Sequence, residues 1–267
     1  MKAAANEPIR VASEKELQKR LAGGPAVFLS ASVPYERTRP KQMTQREWMP
    51  RAKLNREYLA SAEPARIRSA VIATTRALLA RGLRLVFGAH PAISPMVLGA
   101  ARDMGAPARS VIIFQSEYFR DEFPRSTLSL ASWEAGVLVL TAVVPGKNGL
   151  DHESREASLV LMRQLMVAVP NLCGAVFVGG MEGVQDEAAL FREKHPRARV
   201  YAIASTGSAA RALWRQQPSA FSGQLSEPGI LEKHPSYSVV AREIFADLKI
   251  AGGPGVPRSL RKGVRPR

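Results

Sequence analysis

Residues 174–187 read GAVFVGGMEGVQDE, an apolar run that breaks at two glycines and continues as a polar, helix-compatible segment. This order predicts a buried strand, a tight turn at Gly179 and Gly180, and a helix. Glycine suits such a turn because it adopts backbone angles that other residues avoid and lets backbone N–H groups approach an anion closely. Gly183 and Glu187 follow near the predicted helix start.

Two interpretations of this stretch stay open. In the first, the backbone N–H groups of the turn hold a nucleotide's phosphate while Glu187 accepts hydrogen bonds from the hydroxyls of its sugar. In the second, the glycines make a plain strand–helix turn, and Glu187 is a solvated residue that the helix dipole favours. The stretch by itself favours neither interpretation, so the rest of the chain has to be weighed with it.

Strand-like and helix-like segments alternate along the chain. Five further apolar runs predict strands at residues 26–29, 84–87, 110–114, 136–140 and 199–204. Helices are predicted at residues 13–21, 64–81, 94–104, 151–168, 182–194, 208–216 and 236–248. The alternation predicts an α/β fold, with a parallel sheet of about six strands, right-handed crossovers and helices on both faces. Such sheets bind their ligands outside the carboxyl ends of the strands.

Small and polar residues follow three more strands at that edge. Ser94 followed by Pro95 has the residue types of a helix N-cap and first turn, which would aim free N–H groups at the same crevice. His90 would donate to a phosphate there, although a loop histidine beside a proline is more often solvated. The predicted ligand-binding residues of these three strand exits are Ser30, Ala31, Ser32, Gly88, His90, Ser94, Gln115 and Ser116.

Composition excludes several classes of protein. The chain has 267 residues and 46% apolar content, which is enough for a large core. Its single cysteine excludes an intramolecular disulfide and a cysteine-rich zinc site, and indicates a reducing, cytoplasmic compartment. No apolar run approaches the ~18 residues that span a bilayer, so we expect no membrane association. The four histidines lack metal-ligand spacing, so we expect no metal. The glycine fingerprints of dehydrogenases and P-loop NTPases and the nucleophile elbow of hydrolases are absent.

We expect one domain, residues 25–250, after a polar lead-in at residues 1–24. Residues 35–63 lack a steady apolar period, which predicts an insertion. We expect a solvated loop there, although its seven basic residues, among them Arg37, Arg39, Lys41 and Arg46, could contact phosphate. Residues 251–267 carry five cations and no acidic residue, which predicts a disordered basic tail. The net charge of +15 keeps nucleic-acid binding through the insertion and the tail open.

Four motifs, taken together, resemble those of a known family. In order and spacing, they resemble the SLOG superfamily, the Rossmann-like relatives of the DNA-uptake protein DprA and of LOG-type cytokinin-activating enzymes, and most closely the SLOG families of bacterial conflict systems. The resemblance covers about residues 26–248 and implies a Rossmann-like domain that binds nucleotides, in some relatives NAD-derived signals such as ADP-ribose species. The motifs are residues 28–32, 87–95, 114–116 and 178–183; the last adds Gly179, Gly180, Met181, Glu182 and Gly183 to the predicted ligand-binding residues.

The resemblance covers both proteins that only bind a nucleotide and enzymes that hydrolyse one. The enzymatic LOG-type branch carries Pro-Gly-Gly-x-Gly-Thr-x-x-Glu, whose loop holds phosphate and whose glutamate serves hydrolysis of an N-glycosidic bond. Here Val178 replaces the proline, Met181 and Glu182 stand where one residue is expected, and Val184 replaces the threonine. Gly179, Gly180, Gly183 and Glu187 keep the outline of the motif, but the extra residue shifts the register of the glutamate. These departures favour binding over catalysis.

Three functions follow as hypotheses. The leading one is a sensor of a nucleotide or NAD-derived ligand in a bacterial defence pathway, whose output would pass through a homo-oligomer or a separate effector protein. The alternative is a nucleotide N-glycosidase that releases a base, with Glu187 as its catalytic residue. The third is a nucleic-acid-binding protein that uses the basic insertion and tail.

Overall fold

Seven parallel strands form one sheet in the computed structural model, which describes residues 7–39, 43–123, 125–146, 149 and 151–248. Their order across the sheet is β1-β5-β4-β3-β2-β6-β7. Each neighbouring pair runs parallel. The strands are β1 (Ile9–Val11), β2 (Ala26–Ser32), β3 (Arg84–Gly88), β4 (Val111–Ser116), β5 (Gly136–Thr141), β6 (Leu172–Gly179) and β7 (Arg199–Ile203).

The predicted α/β fold is confirmed, with one strand more than expected. The central strands are buried on both faces, which explains why they read as continuous apolar runs in the sequence. The additional strand, β1, lies in the predicted lead-in and pairs with β5 at the edge of the sheet. It has only three residues, of which Arg10 is charged and exposed, so it carries no apolar run that sequence analysis would find.

Ten α-helices surround the sheet within the described residues. Right-handed crossovers place α3 and α7 on opposite faces, because β2 leads to β3 on one side and β6 leads to β7 on the other. α4 and α10 pack against α3, and α6 packs against α7. The helices are α1 (Glu14–Arg20), α2 (Gln45–Ser61), α3 (Pro64–Leu79), α4 (Ser94–Asp103), α5 (Arg125–Ala131), α6 (His152–Met166), α7 (Glu182–Lys194), α8 (Ser208–Gln216), α9 (Ile230–Lys233) and α10 (Tyr237–Asp247).

The prediction of a loop at residues 35–63 is wrong, because most of this insertion is the 17-residue helix α2. Thr44 and Glu47 start it with a capping box, in which each side chain accepts a hydrogen bond from the other residue's backbone N–H. Only Asn55 and Tyr58 of this helix are buried. The helix therefore has no apolar stripe, which is the pattern on which a prediction from sequence depends.

Two other expectations bear on the ends of the chain. The predicted basic tail at residues 251–267 lies outside the described residues. Within the described part of the chain, no helix combines the length and the apolar composition needed to cross a bilayer.

Candidate functional site

The order in which the chain adds strands reverses between β2 and β6, two adjacent strands of the sheet, and we call this place the switch point. The chain runs from β2 through β3, β4 and β5 on one side, and from β6 to β7 on the other. In open α/β sheets the crevice outside the carboxyl ends of such a strand pair is the usual ligand site. The register pairs Ser32 of β2 with Gly179 of β6, so two of the predicted strand exits lie side by side here.

The glycine turn, Gly179–Gly183, leaves β6 through two residues with left-handed backbone angles. φ is +57° at Gly179 and +88° at Gly180. A Cβ atom at Gly179 would lie 2.5 Å from Ile67 Cδ1, and one at Gly180 would lie 2.2 Å from Val184 Cγ2. Both positions therefore require glycine for conformation and for space. The N–H of Gly179 donates to Thr206 Oγ1 at 2.8 Å, which fixes the start of the turn.

The helix that follows the turn presents its amino end to the same crevice. α7 begins at Glu182, and the N-cap residue Met181 makes no side-chain capping hydrogen bond. The N–H groups of its first turn thus have no cap from that side chain, and they carry the positive end of the helix dipole. Phe191 of α7 stacks on Phe28 of β2 with ring centroids 5.9 Å apart, which holds the helix against the sheet.

Glu187 of α7 lies beside β2 rather than in solvent. Ser30 Oγ donates to Glu187 Oε2 at 2.5 Å. Arg163 Nε of α6 lies 3.8 Å from Glu187 Oε1, and the side chain of Glu187 is only 16% exposed. Burial raises the pKa of the Glu187 carboxyl, against the lowering effects of the Ser30 hydrogen bond and the Arg163 charge. The carboxyl group is therefore a better proton acceptor than an exposed glutamate.

The insertion contributes three residues near the glycine turn, Arg37, Asn55 and Tyr58, which we call the cover. Arg37 Nη1 donates to Glu182 Oε2 at 2.7 Å. Asn55 of α2 accepts from the Arg37 N–H at 3.3 Å and donates through Nδ2 to Met181 Sδ at 3.2 Å. Tyr58, one turn along α2, is 3% exposed. In the sequence, Arg37 is only one cation among several. Asn55 and Tyr58 were not predicted, because their only signal there is two larger polar residues three positions apart.

Two donors in this cover have no hydrogen-bond partner among the described residues. They are the buried Nε of Arg37 and the buried hydroxyl of Tyr58. Burial, followed by the negative charges of Glu182, Glu57 and Asp186, raises the pKa of Tyr58 to about 12. The tyrosine hydroxyl therefore keeps its proton at neutral pH and is available as a donor.

The exits of β3 and β4 reach the same edge, but their polar groups bind the protein itself. His90 Nδ1 accepts from the Ala92 N–H at 3.2 Å, and burial lowers the pKa of His90. Ser116 Oγ accepts from the Tyr118 N–H at 3.2 Å. Gln115 Oε1 accepts from the Ser116 N–H at 3.3 Å. These side chains satisfy their own loops, and β2 separates the exits of β3 and β4 from the glycine turn at the end of β6.

The predicted N-cap role of Ser94 is wrong. α4 already includes Ser94, and Ile93 holds the cap position without a side-chain hydrogen bond. Ser94 is fully buried, and its hydroxyl accepts from Thr127 Oγ1 at 3.1 Å. At Gly88 an added Cβ would lie 3.3 Å from Met166 Sδ, so this glycine allows α6 to pack closely on β3.

A groove of about 570 Å³ opens beside the carboxyl edge, between α3 and α4. Val33, which directly follows β2, and Ala92 line its upper end, while Ile72 and Met96 supply apolar walls. Arg68 adds a cation. Its size falls within the usual range of small-molecule sites, and its largely apolar lining suits a flat, apolar group such as a base.

The fold, the switch point and the glycine turn agree with one family. The model of the SLOG cluster3 family matches residues 57–227, more than half of the chain. The chain belongs to the SLOG cluster3 family. The part of this SLOG chain that matches holds the glycine turn and Glu187, whereas β2 and Arg37 precede it. No curated protein and no solved structure matches the chain.

Proposed function

We propose that this SLOG cluster3 protein binds a nucleotide or an NAD-derived nucleotide, such as ADP-ribose, as a sensor that does not turn its ligand over. The observation that carries the proposal is the glycine turn: two left-handed glycines lead into a helix without a side-chain cap at the switch point of the sheet. Backbone N–H groups at a helix start are a preformed phosphate site. The family's nucleotide-related Rossmann-like character supports the same class of ligand.

The neighbouring groups supply places for the rest of a nucleotide. Ser32 adjoins the turn, since its hydroxyl lies 3.4 Å from where a Cβ of Gly180 would be. The groove between α3 and α4 begins at the next residue, Val33, and has room for a base or a second sugar. A ligand with a phosphate between two nucleoside-like ends would span the turn and the groove.

We place the protein in a bacterial defence pathway because its motifs resemble those of the SLOG families of conflict systems. Its output would pass through a homo-oligomer or a separate effector protein. Nucleic-acid binding by the basic tail stays a prediction, because the tail lies outside the described residues.

A thermal-shift series tests the proposed binding. ADP-ribose, AMP and NAD are compared with adenine and ribose, since a ligand that binds only the native state raises the melting temperature. We expect a concentration-dependent rise with at least one phosphate-bearing compound and none with the phosphate-free ones. Ser32→Ala should reduce the rise, whereas Ser69→Ala, an exposed hydroxyl on α3, should not. Equal shifts with adenine alone, or none with any nucleotide, would contradict the proposal.

A nucleotide N-glycosidase is the second candidate, and the buried Glu187 is the observation that favours it. A carboxyl group with a raised pKa is suited to proton transfer during departure of a base. Against it, the Ser30 hydrogen bond already occupies one oxygen of this carboxylate. Chromatography of AMP incubated with the protein separates the two functions: repeated release of adenine that Glu187→Gln abolishes would establish the enzyme, and intact AMP would support the sensor.

A further inference from the structure

The Arg37–Glu182 ion pair lies where the phosphate of a bound nucleotide would have to go. Glu182 is the first residue of α7, so its carboxylate sits at the positive end of the helix. Arg37 reaches it from the loop after β2, with Nη1 2.7 Å from Oε2. Together they bring one anion and one cation of the chain itself to the glycine turn.

The cover around this pair has hydrogen-bond donors that it does not use. Within the described part of the chain, Arg37 Nε and the Tyr58 hydroxyl are buried without partners, and the Tyr58 residue is 97% buried, its exposed fraction being 3%. Asn55 joins the two, because it accepts from the Arg37 backbone and lies one helical turn before Tyr58. The Glu182 carboxylate contacts Arg37, and its charge contributes, after burial, to the raised pKa of Tyr58, so both donors lie near the start of α7. Buried donors are normally satisfied, so these two point to an acceptor that binds there.

We propose that Arg37 is a phosphate-binding residue of this site and that Glu182 is its internal competitor, so that a nucleotide's phosphate binds by taking the place of the Glu182 carboxylate. Tyr58 then donates to a second phosphate oxygen. This inference rests on the proposed nucleotide binding and adds that the insertion supplies half of the site. It also gives a role to Glu182, which accompanies Met181 where the related enzymes have one residue.

The side-chain exposures agree with an exchangeable pair. The Arg37 and Glu182 side chains are 37% and 27% exposed, so water reaches the pair and little net stability depends on it. A phosphate offers several acceptor oxygens, while the carboxylate leaves Nε of Arg37 and the Tyr58 hydroxyl unpaired. An arginine forms paired hydrogen bonds with phosphate, which favours the exchange.

Opposite effects of the two partners test the inference. Calorimetric titration with ADP-ribose and AMP compares the wild type with Glu182→Gln and Arg37→Ala. Removing the competitor should tighten binding roughly three- to tenfold. Removing the arginine should weaken binding roughly tenfold or more, the scale of a lost charge-assisted hydrogen bond. A purely structural ion pair predicts that both variants change the affinity in the same direction, which would overturn the inference.

Two matched controls separate the pair from general electrostatics. Asp186→Asn removes the same charge one turn away on α7, where Asp186 pairs with Arg163 instead. Arg242→Ala removes an exposed cation on α10, outside the insertion, that pairs with Glu243. Both should leave the affinity within about twofold, as expected for screened surface charges. An equal gain from Asp186→Asn and Glu182→Gln would refute the competition.

Inorganic pyrophosphate distinguishes failure of this inference from failure of the proposed function. If no nucleotide binds the wild type but pyrophosphate binds Glu182→Gln more tightly than the wild type, the competition stands and nucleotide sensing falls. If nucleotides bind but Glu182→Gln changes nothing, sensing stands and the competition falls. Absence of binding by every probe to both proteins would refute both. Arg37→Lys, which keeps the charge, covers the case in which Arg37→Ala does not fold.

Discussion

Replacing Gly180 by alanine adds one methyl group where the turn leaves least room. The new Cβ would lie 2.2 Å from Val184 Cγ2 and 2.9 Å from Val184 Cβ. Rotation of the valine side chain relieves the first contact but not the second, because Cβ lies on the rotation axis. Val184 is only 4% exposed, so the start of α7 must shift away from the sheet.

The expected loss of stability has two parts. A non-glycine residue at φ +88° costs about 1–2 kcal/mol. Forcing a methyl group into a packed position costs about 1–3 kcal/mol more. Gly180→Ala should therefore lower the free energy of unfolding by about 2–5 kcal/mol, the sum of the two ranges.

Two other glycines isolate these parts. Gly82 has φ +69° and nothing within 4 Å of an added Cβ, so Gly82→Ala should cost only the conformational part, about 1–2 kcal/mol. Gly99 lies inside α4, also with nothing within 4 Å, so Gly99→Ala should stabilise the protein by about 0.5–1 kcal/mol. The difference between the Gly180 and Gly82 variants measures the Val184 contact.

Urea denaturation followed by circular dichroism gives these free energies. The three variants should rank Gly99→Ala above the wild type, then Gly82→Ala below it, then Gly180→Ala lowest. A Gly180→Ala variant that loses no more stability than Gly82→Ala would refute the reasoning, because it would show that the turn has room for a side chain.

Three further predictions concern Glu187, Thr206 and the tail. Burial raises the folded-state pKa of Glu187 above the ordinary value of 4.5, so the native state binds this proton more tightly than the unfolded state does. The free energy of unfolding of the wild type should therefore fall relative to that of Glu187→Gln as the pH rises from 4.5 through the folded-state pKa. Parallel pH profiles of the two proteins would refute this. Thr206→Val leaves the Gly179 N–H unpaired and should lower the free energy of unfolding, measured by urea denaturation, by about 1–3 kcal/mol. Thr206→Ser keeps the acceptor and should lower it by about 1 kcal/mol. Equal losses in the two variants would show that the hydrogen bond contributes nothing. Deleting residues 251–267 should leave the melting temperature nearly unchanged and lower nucleic-acid affinity at low salt, and a large fall in melting temperature would show that the tail packs on the domain.

The sheet was predictable because its strands are buried on both faces. Burial on both faces makes a strand apolar at every position, so six of the seven strands stand out in the sequence. β1 was not predicted, because an edge strand of three residues with a charged central residue forms its backbone hydrogen bonds without an apolar run. α2 was not predicted because it starts with a capping box and buries only Asn55 and Tyr58, so its sequence has no apolar stripe.

Some residues of the candidate site were predictable from the sequence and others were not. The glycine turn was visible because left-handed backbone angles and close packing restrict the residue type at Gly179 and Gly180. The cover was not, since Arg37, Asn55 and Tyr58 meet the turn only through tertiary packing of a polar helix. The N-cap prediction for Ser94 was wrong although a serine–proline pair is typical of a helix start, because the Ser94 hydroxyl is buried and accepts a hydrogen bond from Thr127.

Backbone amide shifts during an ADP-ribose titration test the central claim most directly. In a ¹⁵N-labelled sample, the phosphate would perturb the N–H groups that are predicted to hold it, so the resonances of Gly180, Met181, Glu182 and Gly183 should move most and saturate together. Resonances of α1, which contacts the carboxyl end of α7 through the Glu14–Lys194 ion pair, should stay in place. Saturating ADP-ribose, AMP and NAD that leave these four amides unmoved would contradict the account.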